Sequence, residues 1–129
     1  MGDFFTDDEL TITLELSHGL IVLELCSGSD TLTTAISQSA LYITVVDKSL
    51  SAYMPGIEFI GDIPNKYFHI AFVNVNTSDE TYWALSRIKA PTLVLFNTEC
   101  EEVLNMITRF NLVLVKDFAT ENAMKLYKR

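Results

Sequence analysis

A glycine and an acidic residue follow two short apolar runs at positions where they could together hold a small polar ligand. Gly28 lies just after the run Leu20 to Leu25, and Asp47 ends the run Leu41 to Val46. A glycine after a strand lets a ligand approach the backbone, and the free amides of a following helix favour an electron-rich group. A carboxylate at the end of the neighbouring strand can accept hydrogen bonds from both hydroxyls of a ribose. The spacing favours a nucleoside-like ligand, although one glycine also fits an ordinary strand-to-helix turn.

A further acid extends this pattern. Asp62 follows a weaker strand candidate, Gly56 to Ile60, and is followed by Ile63. A carboxylate there can accept from an exocyclic amine, with Ile63 against the ring that carries it. Any one of these acids is more often a solvated turn residue. The ordered set matches the edge at which open α/β sheets bind ligands, the carboxyl ends of successive strands.

The elements that would position these residues alternate along the chain. The apolar runs typical of strands buried on both faces are Leu20 to Leu25, Leu41 to Val46, Phe68 to Asn74 and Pro91 to Phe96. The segments with helical spacing are Asp30 to Ser39, Asp79 to Lys89 and Glu99 to Phe110. This alternation predicts an α/β fold, a three-layer sandwich around a mostly parallel sheet.

The two ends of the chain depart from the alternation. Asn111 to Phe118 and Met124 to Lys128 are extended runs joined by a short connection that has no room for a crossover helix. They predict an antiparallel C-terminal hairpin. Thr6 to Glu9 resembles a capping box, whereas Thr11 to Leu16 alternates like a strand. We expect residues 1–18 to form an N-terminal helix or extension.

Composition and charge restrict the class of protein. The 129 residues are 49% hydrophobic and 20% charged, which predicts one globular domain over residues 1–129. No apolar stretch reaches the roughly 20 residues that span a bilayer, and no secretory signal is present, so we expect a cytoplasmic protein without membrane association. The net charge of −8 opposes nonspecific binding to a polyanion. The candidate basic patch in the sequence is the C-terminal group Lys116, Lys125, Lys128 and Arg129, which we interpret instead as a solvated strand face and a frayed chain end.

Other reactive side chains have spacings that suggest no competing chemistry. Cys26 and Cys100 lack the spacing of a metal site and are expected to be buried free thiols. His18 and His69 have no Ser, Cys or acid at a spacing that suggests a triad. The sequence contains neither a phosphate-binding loop of the P-loop type nor a GxGxxG motif, which disfavours nucleotide hydrolysis and nicotinamide-dependent dehydrogenation.

From about Leu20 to the C-terminus the sequence resembles the Rossmann-like (class I) S-adenosylmethionine-dependent methyltransferases. The family's first motif is an acid followed by a glycine-rich turn, and its counterpart is Glu24-Leu-Cys-Ser-Gly28-Ser-Asp30, in which Asp30 stands where a glycine is common. The resemblance implies that Asp47 binds the ribose, that Asp62 and Ile63 contact the adenine, and that the final hairpin belongs to the same fold. The residues implied to contact S-adenosylmethionine are Glu24, Cys26, Gly28, Asp30, Asp47, Asp62 and Ile63.

The family's catalytic motif would follow the fourth strand. Amino-methylating members carry Asp/Asn-Pro-Pro-Tyr there, and the counterpart is Asn74-Val-Asn-Thr77, which lacks both prolines and the aromatic ring. The resemblance implies that Asn74 lies nearest the acceptor amine. Tyr82 and Trp83 follow on the next helix, and either core packing or lining of the target site is open to them.

Two functions therefore follow from the sequence. One is an S-adenosylmethionine-dependent methyltransferase that acts on an amine of a nucleic acid or a protein. The alternative is a methyltransferase-like domain without catalysis that serves as an interaction or regulatory module, because the fourth-strand motif is degenerate and the chain is small and acidic. A homodimer or a complex with a partner protein is compatible with both.

Overall fold

The residues that the computed structural model describes, 4–25, 30–47 and 54–129, contain seven strands and four helices. The strands are β1 (Ile21–Leu25), β2 (Tyr42–Val46), β3 (Glu58–Ile60), β4 (Ile70–Val73), β5 (Thr92–Leu95), β6 (Val113–Asp117) and β7 (Lys125–Lys128). The helices are α1 (Asp7–Ser17), α2 (Asp30–Ser39), α3 (Ser78–Arg87) and α4 (Glu101–Arg109). All the strands and helices expected from the apolar patterns are present, each within two residues of its predicted bounds.

The strands form one sheet in the order β3-β2-β1-β4-β5-β7-β6. The pairs from β3 to β5 are parallel, and β7 lies antiparallel between β5 and β6. The predicted mostly parallel sheet with a C-terminal hairpin is thereby confirmed. Two edges are defined here by the parallel strands. The carboxyl edge contains Leu25, Val46, Ile60, Val73 and Leu95, and the amino edge contains Ile21, Tyr42, Glu58, Ile70 and Thr92.

Apolar side chains cover both faces of the sheet and produce the three layers. On one face, Leu23 and Leu93 pack in a buried cluster with Leu85 of α3 and Ile107 of α4. The other face has its own cluster, in which Phe72 packs with residues of α2. A strand covered on both faces needs apolar side chains at every position, which is why the central strands read as continuous hydrophobic runs.

The N-terminal segment is helical from Asp7 to Ser17, and a capping box begins the helix. The Thr6 hydroxyl accepts from the N–H of Glu9 at 3.2 Å, and the Glu9 carboxylate accepts from the N–H of Thr6 at 3.0 Å. Together these bonds satisfy two of the amides left free at a helix start, which favours helix over the alternating strand pattern of the same residues. None of the helices in the described ranges is long and apolar enough to cross a membrane.

Candidate functional site

The carboxyl edge brings Asp47 and Asn74 to the two sides of β1. The N–H of Asp47 donates to the Ile60 carbonyl at 2.7 Å, and the N–H of Asn74 donates to the Leu25 carbonyl at 2.9 Å. The strand order changes direction here, because β2 lies on one side of β1 and β4 on the other. Open α/β sheets bind ligands at such a switch point, outside the carboxyl ends of the strands. The two residues predicted to hold a ribose and an acceptor amine therefore lie at the same edge of the sheet, on the two sides of β1.

Glu24 lies one residue before the end of β1 and has no exposed surface. Its side chain lies on the α2 face, where the Thr33 hydroxyl donates to the carboxyl group from 2.7 and 2.9 Å. Burial raises the pKa of Glu24 to about 8, and the negative charge of Asp30 adds to the rise, although the Thr33 hydrogen bond opposes it. The carboxyl group is therefore mostly protonated at neutral pH and can donate one hydrogen bond as well as accept.

The start of α2 continues from the glycine-rich turn. Cys26 and Gly28 lie outside the described residues, so their predicted contacts remain predictions. Asp30 is the first residue of α2 and is exposed. It lines a groove of about 390 Å³ between α1 and α2, together with Leu10 and Thr34. A negative side chain at a helix start is favoured by the helix dipole, and here it also faces an open space.

Asp62 and Ile63 pack toward α3. One carboxylate oxygen of Asp62 accepts from Arg87 at 3.2 Å, and the other accepts from the N–H of Ile63 at 2.8 Å. Arg87 is the last residue of α3, and the Ile63 side chain is 7% exposed within the core cluster under that helix. Both oxygens of Asp62 thus have partners within the chain. The ion pair is largely exposed, so its contribution is small and a ligand amine could replace it.

Asn74 is joined to a residue that the sequence analysis did not single out, Asn97. The side-chain amide of Asn97 donates to the Asn74 carboxamide oxygen at 2.7 Å, so the predicted acceptor for a substrate amine already has a donor. Asn97 has a φ of 58°, in the left-handed region that asparagine tolerates better than most residues. Asn97 follows the buried run that ends at Phe96. The sequence signal that could have identified it is an asparagine after each of two adjacent strands, Asn74 after β4 and Asn97 after β5.

Glu9 is a second residue whose role the sequence did not reveal. Beyond its capping bond, the carboxylate accepts from the Thr120 hydroxyl at 2.6 Å and from the N–H and side-chain amide of Asn122 at 3.0 and 2.7 Å. Burial by itself raises the pKa of Glu9, but these hydrogen bonds outweigh it and hold the pKa below its ordinary value. Since residues 118–124 connect β6 to β7 beside the end of β5, Glu9 fixes the start of α1 against the carboxyl edge.

The two aromatic residues of α3 lie in different surroundings. Tyr82 is 46% exposed and packs its ring 5.6 Å from that of Phe110, with the Arg109 guanidinium 5.1 Å away. Trp83 is partly buried and packs against the core cluster on the same face of the sheet. Tyr82 therefore belongs to the surface between α3 and α4, and Trp83 contributes to packing.

Comparisons with known proteins gave matches in structure and none in sequence: no family model and no curated protein matched the chain. The N-methyltransferase NodS from Bradyrhizobium japonicum WM9 superposes with a TM-score of 0.67 at 16% identity, over 95% of this chain and 94% of that one. NodS has also been solved in complex with S-adenosyl-l-homocysteine, and that structure superposes with a TM-score of 0.65.

Two further methyltransferase structures show the same likeness. The ribosomal protein L11 methylase from Lactobacillus delbrueckii subsp. bulgaricus has a TM-score of 0.71 at 12% identity, over all of this chain and 80% of that one. The tRNA (m1A58) methyltransferase TrmI from Aquifex aeolicus has a TM-score of 0.68 at 16% identity, over all of this chain and 71% of that one. Together with the strand order and the C-terminal hairpin, these likenesses show that the chain has the Rossmann-like fold of the class I methyltransferases.

Proposed function

We propose that this chain binds S-adenosylmethionine at the carboxyl edge and transfers its methyl group to an amine of a nucleic acid or a protein. The observation that carries the proposal is the position of Asp47 and Asn74, which follow β2 and β4 on the two sides of β1, where the strand order changes direction. The shared fold supports it, since NodS has been solved with the demethylated product of this cofactor.

The chemistry of the carboxyl edge fits this ligand. S-adenosylmethionine carries a sulfonium and an ammonium group, and both favour a negative surrounding. Asp30 and Asp47 are the acids of the edge nearest β1, and the Glu24 carboxyl below them is mostly neutral. A carboxylate in place of a glycine at Asp30 therefore brings bulk but also a favourable charge to the methionine part of the ligand. Asp47 accepts hydrogen bonds from the ribose hydroxyls. Asp62 accepts a hydrogen bond from the adenine amine in place of the one from Arg87.

The cofactor supplies an activated methyl group, and the residues of the chain align the acceptor amine with it. The acceptor nitrogen forms a bond to the methyl carbon as the bond from sulfur to that carbon breaks, and the nitrogen then loses a proton to water. This displacement depends mainly on alignment, so a strong general base is not required. Asn74 orients the amine by accepting a hydrogen bond at its carboxamide oxygen. The Asn97 side chain then either breaks its own hydrogen bond to that oxygen or shares the oxygen with the amine.

The second candidate is a domain without catalysis that acts as an interaction or regulatory module. The contact between Asn97 and Asn74 favours it, because the oxygen assigned to the substrate amine is already satisfied at 2.7 Å. The pairing of Asp62 with Arg87 points the same way. In this case the carboxyl edge retains the architecture of a cofactor site without the reaction.

Calorimetry with S-adenosylmethionine and S-adenosylhomocysteine tests the first proposal. Asp47→Ala should weaken binding at least tenfold, because a charged hydrogen bond contributes about 1.5 to 3 kcal/mol. Glu15→Ala is the matched control, since it removes one exposed acid from α1 at the far end from the site. No measurable binding at millimolar ligand contradicts the proposal, and unchanged affinity in Asp47→Ala and Asp62→Ala shows that the site is misplaced.

Labelled methyl transfer distinguishes the enzyme from the module. RNA, DNA and protein mixtures are offered separately with the cofactor, and incorporation into one of them identifies the acceptor class. Cofactor binding without incorporation into any of the three supports the module.

A further inference from the structure

The amino edge of the sheet carries exposed aromatic rings and basic side chains, and neither has a role in the site described above. Tyr67 is 79% exposed and Tyr42 is 46% exposed, although tyrosine rings normally pack at least partly into a protein. Lys66, Lys89 and Lys128 are also exposed. These five residues form what is called here the amino-edge patch.

Contacts between the rings and the lysines organise this patch. The Lys66 ammonium lies 5.7 Å from the centre of the Tyr42 ring, and the Lys89 ammonium lies 5.4 Å from that of Tyr67. A backbone bridge pairs Tyr67 with Lys89. Each ring thus has a cation beside it, at the distance at which cation–π attraction operates.

The strand order extends the patch across the sheet. Tyr42 begins β2, Tyr67 precedes β4, Lys89 precedes β5, and Lys128 ends the antiparallel β7 opposite Thr92. From β2 to β7 there are four inter-strand steps of about 4.8 Å, so the patch spans roughly 19 Å. That span accommodates a short stretch of an extended polymer.

Two acids of the described residues lie toward this edge, Glu58 at the start of β3 and Glu15 in the last turn of α1. Glu58 accepts from the Tyr42 hydroxyl at 3.2 Å and from Thr44 at 2.7 Å. Most of the remaining acids begin helices, and every described helix starts at the carboxyl edge. The first-turn acids are Asp7, Asp8, Glu9, Asp30, Asp79, Glu80, Glu101 and Glu102. The chain is therefore acidic overall but basic at its amino edge.

We propose that the amino-edge patch binds a short stretch of single-stranded nucleic acid. Bases stack on Tyr67 and Tyr42, and phosphates contact Lys66, Lys89 and Lys128. Exposed rings beside cations are the combination that single-strand binding sites use, since every base has a face that stacks and every phosphate has a charge. An acidic peptide would satisfy the lysines but would leave the rings without a partner.

The net charge of −8 does not prevent this binding at physiological salt. The parallel strands are three to five residues long, so the carboxyl edge lies roughly 10 to 17 Å from the patch. The Debye length is about 8 Å at physiological ionic strength, so the acids at that edge are largely screened from a ligand at the patch. The inference goes beyond the proposed function, because binding requires neither cofactor nor methyl transfer.

Fluorescence anisotropy with a labelled oligothymidylate of about twelve nucleotides tests the proposal, without any cofactor. Three phosphate contacts predict that the logarithm of the association constant falls with the logarithm of salt concentration with a slope of about −2. Lys89→Glu should weaken binding at least tenfold. Lys116→Glu is the matched control, because it makes the same charge change on exposed β6 outside the patch, and it should change affinity less than twofold.

A second variant separates nucleic acid from an acidic protein. Tyr67→Leu keeps the charge and should weaken oligonucleotide binding about fivefold or more, since stacking contributes roughly 1 to 3 kcal/mol per base. Because Tyr67 is so exposed, its loss should leave the unfolding curve unchanged. Equal affinity of wild type and Tyr67→Leu, effective displacement by polyglutamate, or no binding of the wild type overturns the proposal. None of these outcomes affects the calorimetry with S-adenosylmethionine, so the two proposals fail separately.

Discussion

The Thr33 hydroxyl lies 2.7 and 2.9 Å from the two carboxyl oxygens of Glu24, and this contact joins α2 to β1 within the core. Both side chains are buried, and among the described residues the donor to the acid is the Thr33 hydroxyl. One hydroxyl cannot replace the water that a carboxylate loses on burial, so the folded protein retains a proton at this position.

Glu24 should make the protein less stable as the pH rises. Its folded pKa of about 8 lies above the value of 4.5 for a free side chain, so the stabilisation from the bound proton is complete below about pH 4.5 and is lost as the pH rises toward 8. The full effect is at most roughly 5 kcal/mol. Urea denaturation at several pH values measures it, and Glu24→Gln should remove most of the loss between pH 5 and 8.

Glu58→Gln is the control for this experiment, because Glu58 is an acid at the opposite edge whose side chain is only half-buried. It should leave the decline of stability with pH intact. A decline of the same size in Glu24→Gln would show that the proton is held elsewhere.

Glu9 should contribute to stability in the opposite pH range. Its folded pKa is lowered, so its stabilisation is present above the unfolded pKa and is lost as the pH falls through the folded value. Glu9→Ala leaves the donors of Thr120 and Asn122 unpaired and should cost about 2 to 4 kcal/mol. Asp8→Ala removes an exposed acid from the same turn and should cost less than about 1 kcal/mol.

Hydrogen exchange localises the effect of Glu9. In Glu9→Ala, exchange should accelerate in the first turn of α1 and in residues 118–124, while the central strands remain protected. Acceleration throughout the chain would mean that Glu9 supports the whole core rather than this contact.

Asn97 should tolerate glycine better than alanine. Both substitutions remove the hydrogen bond to Asn74, but only alanine keeps a Cβ at a φ of 58°, which costs about 1 kcal/mol more. The free energy of unfolding should therefore fall in the order wild type, Asn97→Gly, Asn97→Ala. Equal values for the two variants would show that the backbone relaxes out of the left-handed region.

Thr13 should be replaceable by valine with a gain in stability. Its hydroxyl is fully buried and has no hydrogen-bond partner among the described residues. Valine has the same shape without the unpaired group, so Thr13→Val should raise the free energy of unfolding by about 1 kcal/mol. Thr11→Val on the exposed side of the same helix is the control and should have little effect, and a loss in Thr13→Val would indicate a partner for the hydroxyl.

The order of the elements was predictable because buried parallel strands and amphipathic helices leave distinct patterns in the sequence. The run from Ile21 to Leu25 is apolar except for Glu24, and that exception was assigned to a ligand on the strength of a motif. The structure adds that Glu24 is buried against Thr33, a contact between residues nine positions apart that periodicity does not reveal. The location of Asp47 could be predicted because the residue directly follows β2. The pairing of Asp62 with Arg87 could not, because it depends on how the segment after β3 packs along α3.

The sequence by itself determined the strands, the helices, the terminal hairpin and the acids and asparagine that follow the strands, because each depends on residues close together in the chain. Tertiary structure decided what these side chains contact: Asn97 with Asn74, Glu9 with Asn122, and Lys89 with Tyr67. It also divided the basic C-terminal group, since the antiparallel hairpin places Lys128 at the amino edge and Lys125 beside Asp117 at the other. Contacts of this kind depend on strand order, and strand order is set by packing over the whole sheet rather than by any local pattern.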